Sequence, residues 1–235
     1  MKFAIISAGE GSRLTQEGVT KPKPLVELNG MPMIERLIRI FMRQGADCIV
    51  IIINELVPET KEFLCHLQDT LPIELVVKTT PSSMHSFYEI SHLLEGDRFC
   101  LTTVDTVFRE EEFSQYIEAF RTSETDGLMA VTDFVDDEKP LYVSTDNLLR
   151  ITGFYDQKTP DCRYISGGIY CLTSRALDTL NRCIEQGQSR MRNFQRQLVA
   201  DGLHLNAWPF EKIIDVDHVS DIVKAEEFLC KEERI

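Results

Sequence analysis

The chain has 235 residues, of which 43% are hydrophobic and 27% charged, enough to build one soluble globular core. A formal net charge of −13 with no long basic run argues against a nucleic-acid partner held through its phosphates. No stretch approaches the roughly 18–20 consecutive apolar residues of a membrane span. The seven cysteines are odd in number, contain no C-x-x-C pair and sit partly inside apolar runs such as RFCLTT and IYCLTS. They read as reduced, largely buried thiols of a cytoplasmic protein rather than as a disulfide framework or a zinc site.

In chain order, KFAIIS is a short apolar run that reads as a first strand rather than a leader, because a glycine motif follows at once. PMIERLIRIFMRQG carries Ile34, Leu37, Ile38, Phe41 and Met42 at helical spacing and closes on Gly45. CIVIII, from Cys48 to Ile53, is a β-branched run expected to be a buried parallel strand. A helix (PETKEFLCHLQDTL), a strand (IELVVK), a helix (SFYEISHLLEG), a strand running into Asp105 (RFCLTTVD) and a helix (EEEFSQYIEAFRTSE) follow. This alternation predicts a doubly wound α/β sheet.

After Gly127 the character changes. GLMAVTDF, LYVST, LLRITGFY and YISGGIYCL read as strands separated by turn residues, Asp146 and Asn147 among them, and predict a mixed or antiparallel extension. Helices are expected over 174–186 and 190–200, a strand over 203–208, then IIDVD and a last helix from Val219 to about Glu232. No repeat, low-complexity tract or linker interrupts the chain. We expect one domain over 1–235, with 1–126 as a nucleotide-binding part and 127–235 as an acceptor-binding part.

Ligands of parallel α/β sheets sit beyond the carboxyl ends of the strands. The segment after the first strand, A-G-E-G-S-R, lies at such an end. Gly9 and Gly11 would let bare backbone approach an anion, with Ala8 and Ser12 beside them. Arg13 offers a planar fork for phosphate oxygens, and Lys23, held between Pro22 and Pro24, a second positive charge of limited reach. Alone, G-x-G-x-R also fits a plain strand-to-helix turn with a surface arginine. A Rossmann fingerprint would need a third glycine where Leu14 stands, and no G-x-x-x-x-G-K-[ST] loop is present.

S-A-G-E-G-S-R-L followed by K-P-K-P-L-V-E-L-N-G-M-P-M-I resembles the signature of the nucleotidyltransferases that make nucleoside-diphosphate sugars. The same family includes cytidylyltransferases for phosphocholine and similar phosphorylated alcohols. The resemblance is dense over residues 3–37 and thinner, but collinear, to Ala225. It implies a Rossmann-like mixed sheet flanked by helices, of the nucleotide-diphospho-sugar transferase type, with the first loop wrapped around a triphosphate. It also implies Arg13 and Lys23 as catalytic charges and Mg²⁺ as the cofactor.

The resemblance gives Asp105 the role of a metal ligand; the plainer alternative is a helix cap. In I-I-D-V-D-H-V-S-D, Asp215 aligns best with a second metal ligand, and Asp217 lies two residues on with the same side-chain direction in extended backbone. The alternative is that both are solvated while Ser220 and Asp221 cap the last helix. T-T-P-S-S-M-H-S offers the hydroxyls of Thr80, Ser82, Ser83 and Ser86 to a nucleotide, alongside an ordinary capped helix. On the acceptor side, Gly168 in Y-I-S-G-G-I-Y matches the family's glycine, although Ser166 stands where asparagine is common. Asp156 and Lys158 in F-Y-D-Q-K match its acceptor step weakly. His85, His92 and His218 lack ligand spacing and are expected to be surface or packing residues.

The expected function is Mg²⁺-dependent nucleotidyl transfer from an NTP to a sugar 1-phosphate, giving an NDP-sugar and pyrophosphate. Cytidylyl transfer from CTP to phosphocholine or a phosphonate is the second reading, and a non-catalytic nucleotide-binding regulator the third. The partners are then an NTP and a phosphorylated small molecule, with neither nucleic acid nor membrane. A homo-oligomer is compatible with the sequence, which carries no interface signal.

Overall fold

The computed structural model describes residues 1–9, 11–96, 98–136 and 138–230. Strand β1 (Lys2–Ser7) leads to the short helix α1 (Ser12–Gln16), a 3-10 turn at Lys23–Leu25, the two-residue strands β2 (Glu27–Leu28) and β3 (Met31–Pro32), and α2 (Met33–Arg43). Then come β4 (Ile49–Ile53), α3 (Pro58–Gln68), β5 (Ile73–Val77), α4 (Ser83–Ser91), β6 (Arg98–Thr103), β7 (Thr106–Val107) and α5 (Glu110–Thr122). The second half contains β8 (Gly127–Thr132), β9 (Tyr142–Thr145), β10 (Ile151–Tyr155), β11 (Cys162–Thr173), α6 (Arg175–Glu185), α7 (Met191–Ala200), β12 (Leu205–Phe210), β13 (Ile214–Asp215) and α8 (Val219–Cys230). The expected end of the last helix lies outside the described residues.

Nine strands form one mixed sheet. The parallel strands β5, β4, β1 and β6 stand side by side, and β11 joins β6 in antiparallel sense. Strand β11 is long enough to pair with β8 as well as β9, and so carries both branches of the second half. The chain leaves β1 toward β4 and later returns to β6 on the other side of β1. That reversal opens a crevice at the carboxyl ends of β1 and β6.

Alternation along the strands divides the core. Phe3, Ile5, Ile49 and Ile51 face α2 and α5, whereas Ala4, Ile6, Val50 and Ile52 face α4, α6 and α7. The helical stripe of α2 is buried as expected at Ile34, Leu37, Ile38 and Phe41. Phe3, Phe41, Phe108 and Phe113 pack ring on ring, with centroids 4.6 Å apart for Phe108 and Phe113. Phe108 thereby pins the chain just after Asp105.

A third, smaller cluster matters most for the site. Leu14 of α1, Val26, Leu28, Val107, Ile214, Val216, Ala225 and Phe228 of α8 are buried together. They tie the glycine loop to the chain's last segments. Glu27–Leu28 and Met31–Pro32 form a tight hairpin around Asn29 and Gly30, both at positive φ (49° and 82°), which the strand–helix alternation does not foreshadow. Strand β6 stops at Thr103, two residues short of the sequence expectation, because the chain turns at Asp105 and re-enters extended backbone as β7.

Candidate active site

A cleft of about 610 Å³ opens over the carboxyl ends of the parallel strands. Ser7 enters it at the end of β1, Ala8, Gly9 and Gly11 after β1, Asn54 after β4, Thr79 and Thr80 after β5, and Asp105 after β6. Ser12, Arg13, Lys23, Ser82, Ser83 and Ser86 complete the wall, so the catalytic and nucleotide-binding residues expected from the sequence meet in one place. The polarity follows from topology: four strand ends supply loops, and loops are where unpaired backbone and polar side chains can face a ligand.

The two glycines do different things. A Cβ on Gly9 would meet nothing within 4 Å, so its missing side chain leaves cleft space open. Gly11 sits at φ +62°, ψ 28° as the residue before α1, and a Cβ there would lie 2.8 Å from Cβ of Lys23. Both the left-handed backbone and the passing lysine stem exclude a side chain at Gly11. The stem is fixed from its own side as well, since Lys23 opens a 3-10 turn between Pro22 and the buried Pro24.

Lys23 Nζ donates to Asp105 at 2.5 Å and to Asp217 at 2.6 Å, and Arg13 donates to the other oxygen of Asp217 at 2.6 Å. Burial works against the charged form of Lys23, but Asp105 and Asp217 outweigh it and hold its pKa above the ordinary lysine value. For Asp105, burial pushes the pKa up, while the charge and hydrogen bond of Lys23 bring it below the usual carboxylate range. Lys23 and Asp105 thus hold each other in the charged form. Asp105 Oδ1 is buried and has no hydrogen-bond partner among the described residues. The cap of the next helix falls at Arg109, so capping does not explain Asp105.

Asp105 and Asp217 are brought together by backbone pairing. Strand β13 pairs antiparallel with β7, Ile214 opposite Val107 and Asp215 opposite Thr106, and Val216 N–H donates to the carbonyl of Asp105 at 3.0 Å. Asp217 thus faces the main cleft. Asp215, the better match by alignment, lines only a smaller neighbouring cleft and accepts a 3.5 Å hydrogen bond from Thr106. Asp221 does cap α8, accepting from the N–H groups of His218 (2.9 Å) and Asp217 (3.3 Å).

The serine loop is both a capped helix and a cleft wall. Ser82 is the N-cap of α4 and accepts from the His85 backbone N–H, while the hydroxyls of Thr80 and Ser86 lie 2.6 Å apart. Asn54 is a residue the sequence reading misses. It is buried, donates to the carbonyl of Ala8 (3.3 Å), and its side-chain oxygen accepts from Leu56 N–H (2.9 Å) and the Thr79 hydroxyl (2.8 Å). It locks the loops after β1, β4 and β5 to one another. The signal was a polar residue directly after the β-branched run ending at Ile53.

The second cleft, about 100 Å³, shares Arg13 and Asp217 with the first. Its wall adds the carboxylates of Asp136, Glu138, Asp215 and Asp221, together with Ser166, Gly167 and His218. Ser166 donates to Gln195 Oε1 at 2.8 Å, which aims a side chain of α7 at this wall. His218 is half-buried and pairs with Glu17 at 2.6 Å, and Glu17 also accepts from the Val219 N–H at the start of α8. Hydrogen bonding to Glu17 raises the His218 pKa.

The acceptor residues expected from the sequence do not join them. Asp156 is exposed and ion-paired with Arg192 (2.5 Å) and Arg196 (2.8 Å) of α7, and Lys158 is exposed; neither lines either cleft. Gly168 lies at φ +74° in the irregular stretch of β11 between Ser166 and Tyr170, against the Thr106 hydroxyl, while its neighbour Gly167 reaches the smaller cleft.

A profile of the MobA-like NTP transferase domain matches residues 3–201. The chain belongs to that family. Two curated relatives are a 2-aminoethylphosphonate cytidylyltransferase of Lancefieldella rimae, 30% identical over 115 residues, and a choline-phosphate cytidylyltransferase of Streptococcus pneumoniae, 28% identical over 129. These alignments cover 47% and 50% of this chain and 45% and 55% of the relatives, so the chain spans about half the length of the curated relatives it matches. Among solved structures, the inositol-1-phosphate CTP transferase of T. maritima superposes with a TM-score of 0.80 at 18% identity, over 99% of this chain and 96% of that one. The fold is therefore the nucleotide-diphospho-sugar transferase type expected from the sequence. Among the described residues no helix is long and apolar enough to cross a membrane.

Proposed function

We propose that the protein transfers a cytidylyl group from CTP to a small phosphate or phosphonate that also bears a cationic amine, releasing pyrophosphate. The observation that carries the acceptor is the second cleft. Asp136, Glu138, Asp215, Asp217 and Asp221 outnumber Arg13 and His218 on its wall, with Lys224 pairing with Asp136 (2.7 Å) and Asp221 (3.2 Å), and Lys23 with Asp217, from outside it. A cavity of that size, on the order of three water volumes, suits an aminoethyl or trimethylammonium group better than a hydroxyl-rich pyranose. The names of the two curated relatives support cytidine and an amine-bearing acceptor together.

In this reading the triphosphate lies in the main cleft against the Ala8–Arg13 backbone, with the nucleoside toward Thr80, Ser82, Ser83 and Ser86. The acceptor's anionic oxygen attacks the α-phosphorus as the bond to the bridging oxygen of pyrophosphate breaks. That oxygen is already ionised at neutral pH, so no strong general base is needed. Arg13 stands where the two clefts meet, placed to hold both anions, and Lys23 stabilises charge developing on the triphosphate.

Asp105 and Asp217 would hold Mg²⁺, which when bound neutralises phosphate charge. The unpartnered Asp105 Oδ1 and the cation already seated between the two carboxylates fit that role. Among the described residues no group of three or more His, Cys, Asp or Glu is gathered for a metal, so the remaining ligands would be phosphate oxygens and water.

The test is pyrophosphate release with Mg²⁺, crossing the four NTPs with 2-aminoethylphosphonate, phosphocholine and glucose 1-phosphate, beside Asp105→Ala. Release with CTP and an amine-bearing acceptor, lost at least ~10²-fold in the variant, is expected. Release with the sugar 1-phosphate alone would overturn the acceptor; nucleotide binding without any release would favour a non-catalytic regulator.

A further inference from the structure

Among the described residues, the Asp105–Asp217 pair is charge-balanced by the protein's own side chains. Lys23 bridges the two carboxylates at 2.5 and 2.6 Å, and Arg13 takes the second oxygen of Asp217, so two positive groups face two negative ones. The lysine side chain is only 12% exposed and its stem is confined by Gly11 on one side and by the Pro22–Pro24 turn on the other. Its ammonium rests on one oxygen of each carboxylate, Asp105 Oδ2 and Asp217 Oδ1, in the gap between them that a divalent ion bridging the pair would have to enter. A metal arriving alone would meet both a steric occupant and, among the described residues that line the cleft, no net negative charge to attract it.

We propose that Lys23 is the resident cation of this pair in the nucleotide-free protein, and that metal enters only when a triphosphate draws the ammonium off the carboxylates. The same side chain then serves twice. It keeps two partly buried carboxylates compensated while the cleft is empty, and it becomes a phosphate ligand once the cleft is filled. The lysine's charge makes metal binding conditional on nucleotide, which is a coupling between two ligands at adjoining positions. This rests on the reading above that Asp105 and Asp217 hold the metal.

The experiment is a titration of the whole chain with Mn²⁺ and no nucleotide, free Mn²⁺ being read by electron paramagnetic resonance, for wild type, Lys23→Met and Lys23→Gln. Native circular dichroism is checked first, and either folded variant suffices. Wild type is expected to bind Mn²⁺ alone weakly, and the variants at least ten-fold more tightly. Adding Asp105→Asn to Lys23→Gln should abolish the gain. Equal Mn²⁺ affinity in wild type and variants, or a gain that survives Asp105→Asn, would overturn the proposal. Should neither variant fold, wild type alone decides: tight, micromolar binding of Mn²⁺ without nucleotide overturns it, and weak binding upholds it. Pyrophosphate release by wild type is scored separately, so the placeholder role can fail while the transferase reading stands.

Discussion

The two clefts share a wall, Arg13 and Asp217, yet they are built differently. The larger is assembled from strand ends of the first half, where each loop follows a parallel strand and points the same way. Among the described residues its charges are matched, Lys23 and Arg13 against Asp105 and Asp217. The smaller is assembled from Thr132, Phe134, Asp136 and Glu138, the irregular part of β11, the Ile213–Asp217 segment and the start of α8, and its wall is predominantly acidic. A balanced cleft can take a polyanion by lending it cations already in place. An acid-rich cleft favours the opposite sign. One molecule carrying an anionic head and a cationic tail would span both.

The sharpest way to break this division is at the balanced cleft. Lys23→Ala should lower turnover by ~10²–10³-fold, the loss expected when a preorganised charge opposite the reacting phosphates is removed. Pyrophosphate release by a variant with native circular dichroism checks it, and unchanged turnover would remove Lys23 from the catalytic set. Next in size is the apolar joint beneath both clefts. Leu14 is 2% exposed among Val26, Val107, Ile214 and Phe228. Leu14→Ala should cost about 3 kcal/mol of stability, measured by urea unfolding, and should weaken nucleotide and acceptor together. Selective loss of one would show that the clefts are supported separately.

The two glycines offer a finer contrast. Gly11→Ala forces a left-handed backbone on a residue with a Cβ and presses on Lys23, so it should cost about 1–2 kcal/mol and depress turnover. Gly9→Ala, with open space around it, should leave the melting temperature near wild type and raise KM for the nucleotide. Equal effects at the two positions would refute the distinction. The smallest effect is expected at the acidic wall. Asp215→Asn should raise the acceptor KM several-fold, in line with about 0.5–1 kcal/mol for an exposed charge, while KM for CTP stays put. A matching rise for CTP would mean that Asp215 serves the nucleotide after all.

The sequence was most informative where function is local. Gly9, Gly11, Arg13 and the Lys23 step lie within fifteen residues of one another, and the serine loop is one turn of chain; period and spacing describe such segments well. Asn54 was legible in principle, since it ends a β-branched run by the same strand-end logic applied to Asp105. The choice between Asp215 and Asp217 was not. It depends on a two-residue ladder between β7 and β13, more than a hundred residues apart in sequence, which ends at Asp215 and leaves Asp217 beyond it, so that both aspartates line the smaller cleft and Asp217 also lines the larger. Asp156 illustrates the converse, because a letter pattern suggested a ligand and two arginines of α7 lie close enough to occupy it.

By itself, then, the amino-acid order determined the strand–helix alternation, the crevice that such alternation must leave, and the positive charges that follow the first strand. These follow from hydrophobic period and backbone sterics, which act over a few residues. Only the tertiary structure decided that Lys23 rests between Asp105 and Asp217, that Leu14 joins α1 to α8, and that carboxylates from the second half converge beside Arg13. Those outcomes are set by long-range strand pairing and shared burial, and a one-dimensional pattern does not encode which distant segments will meet.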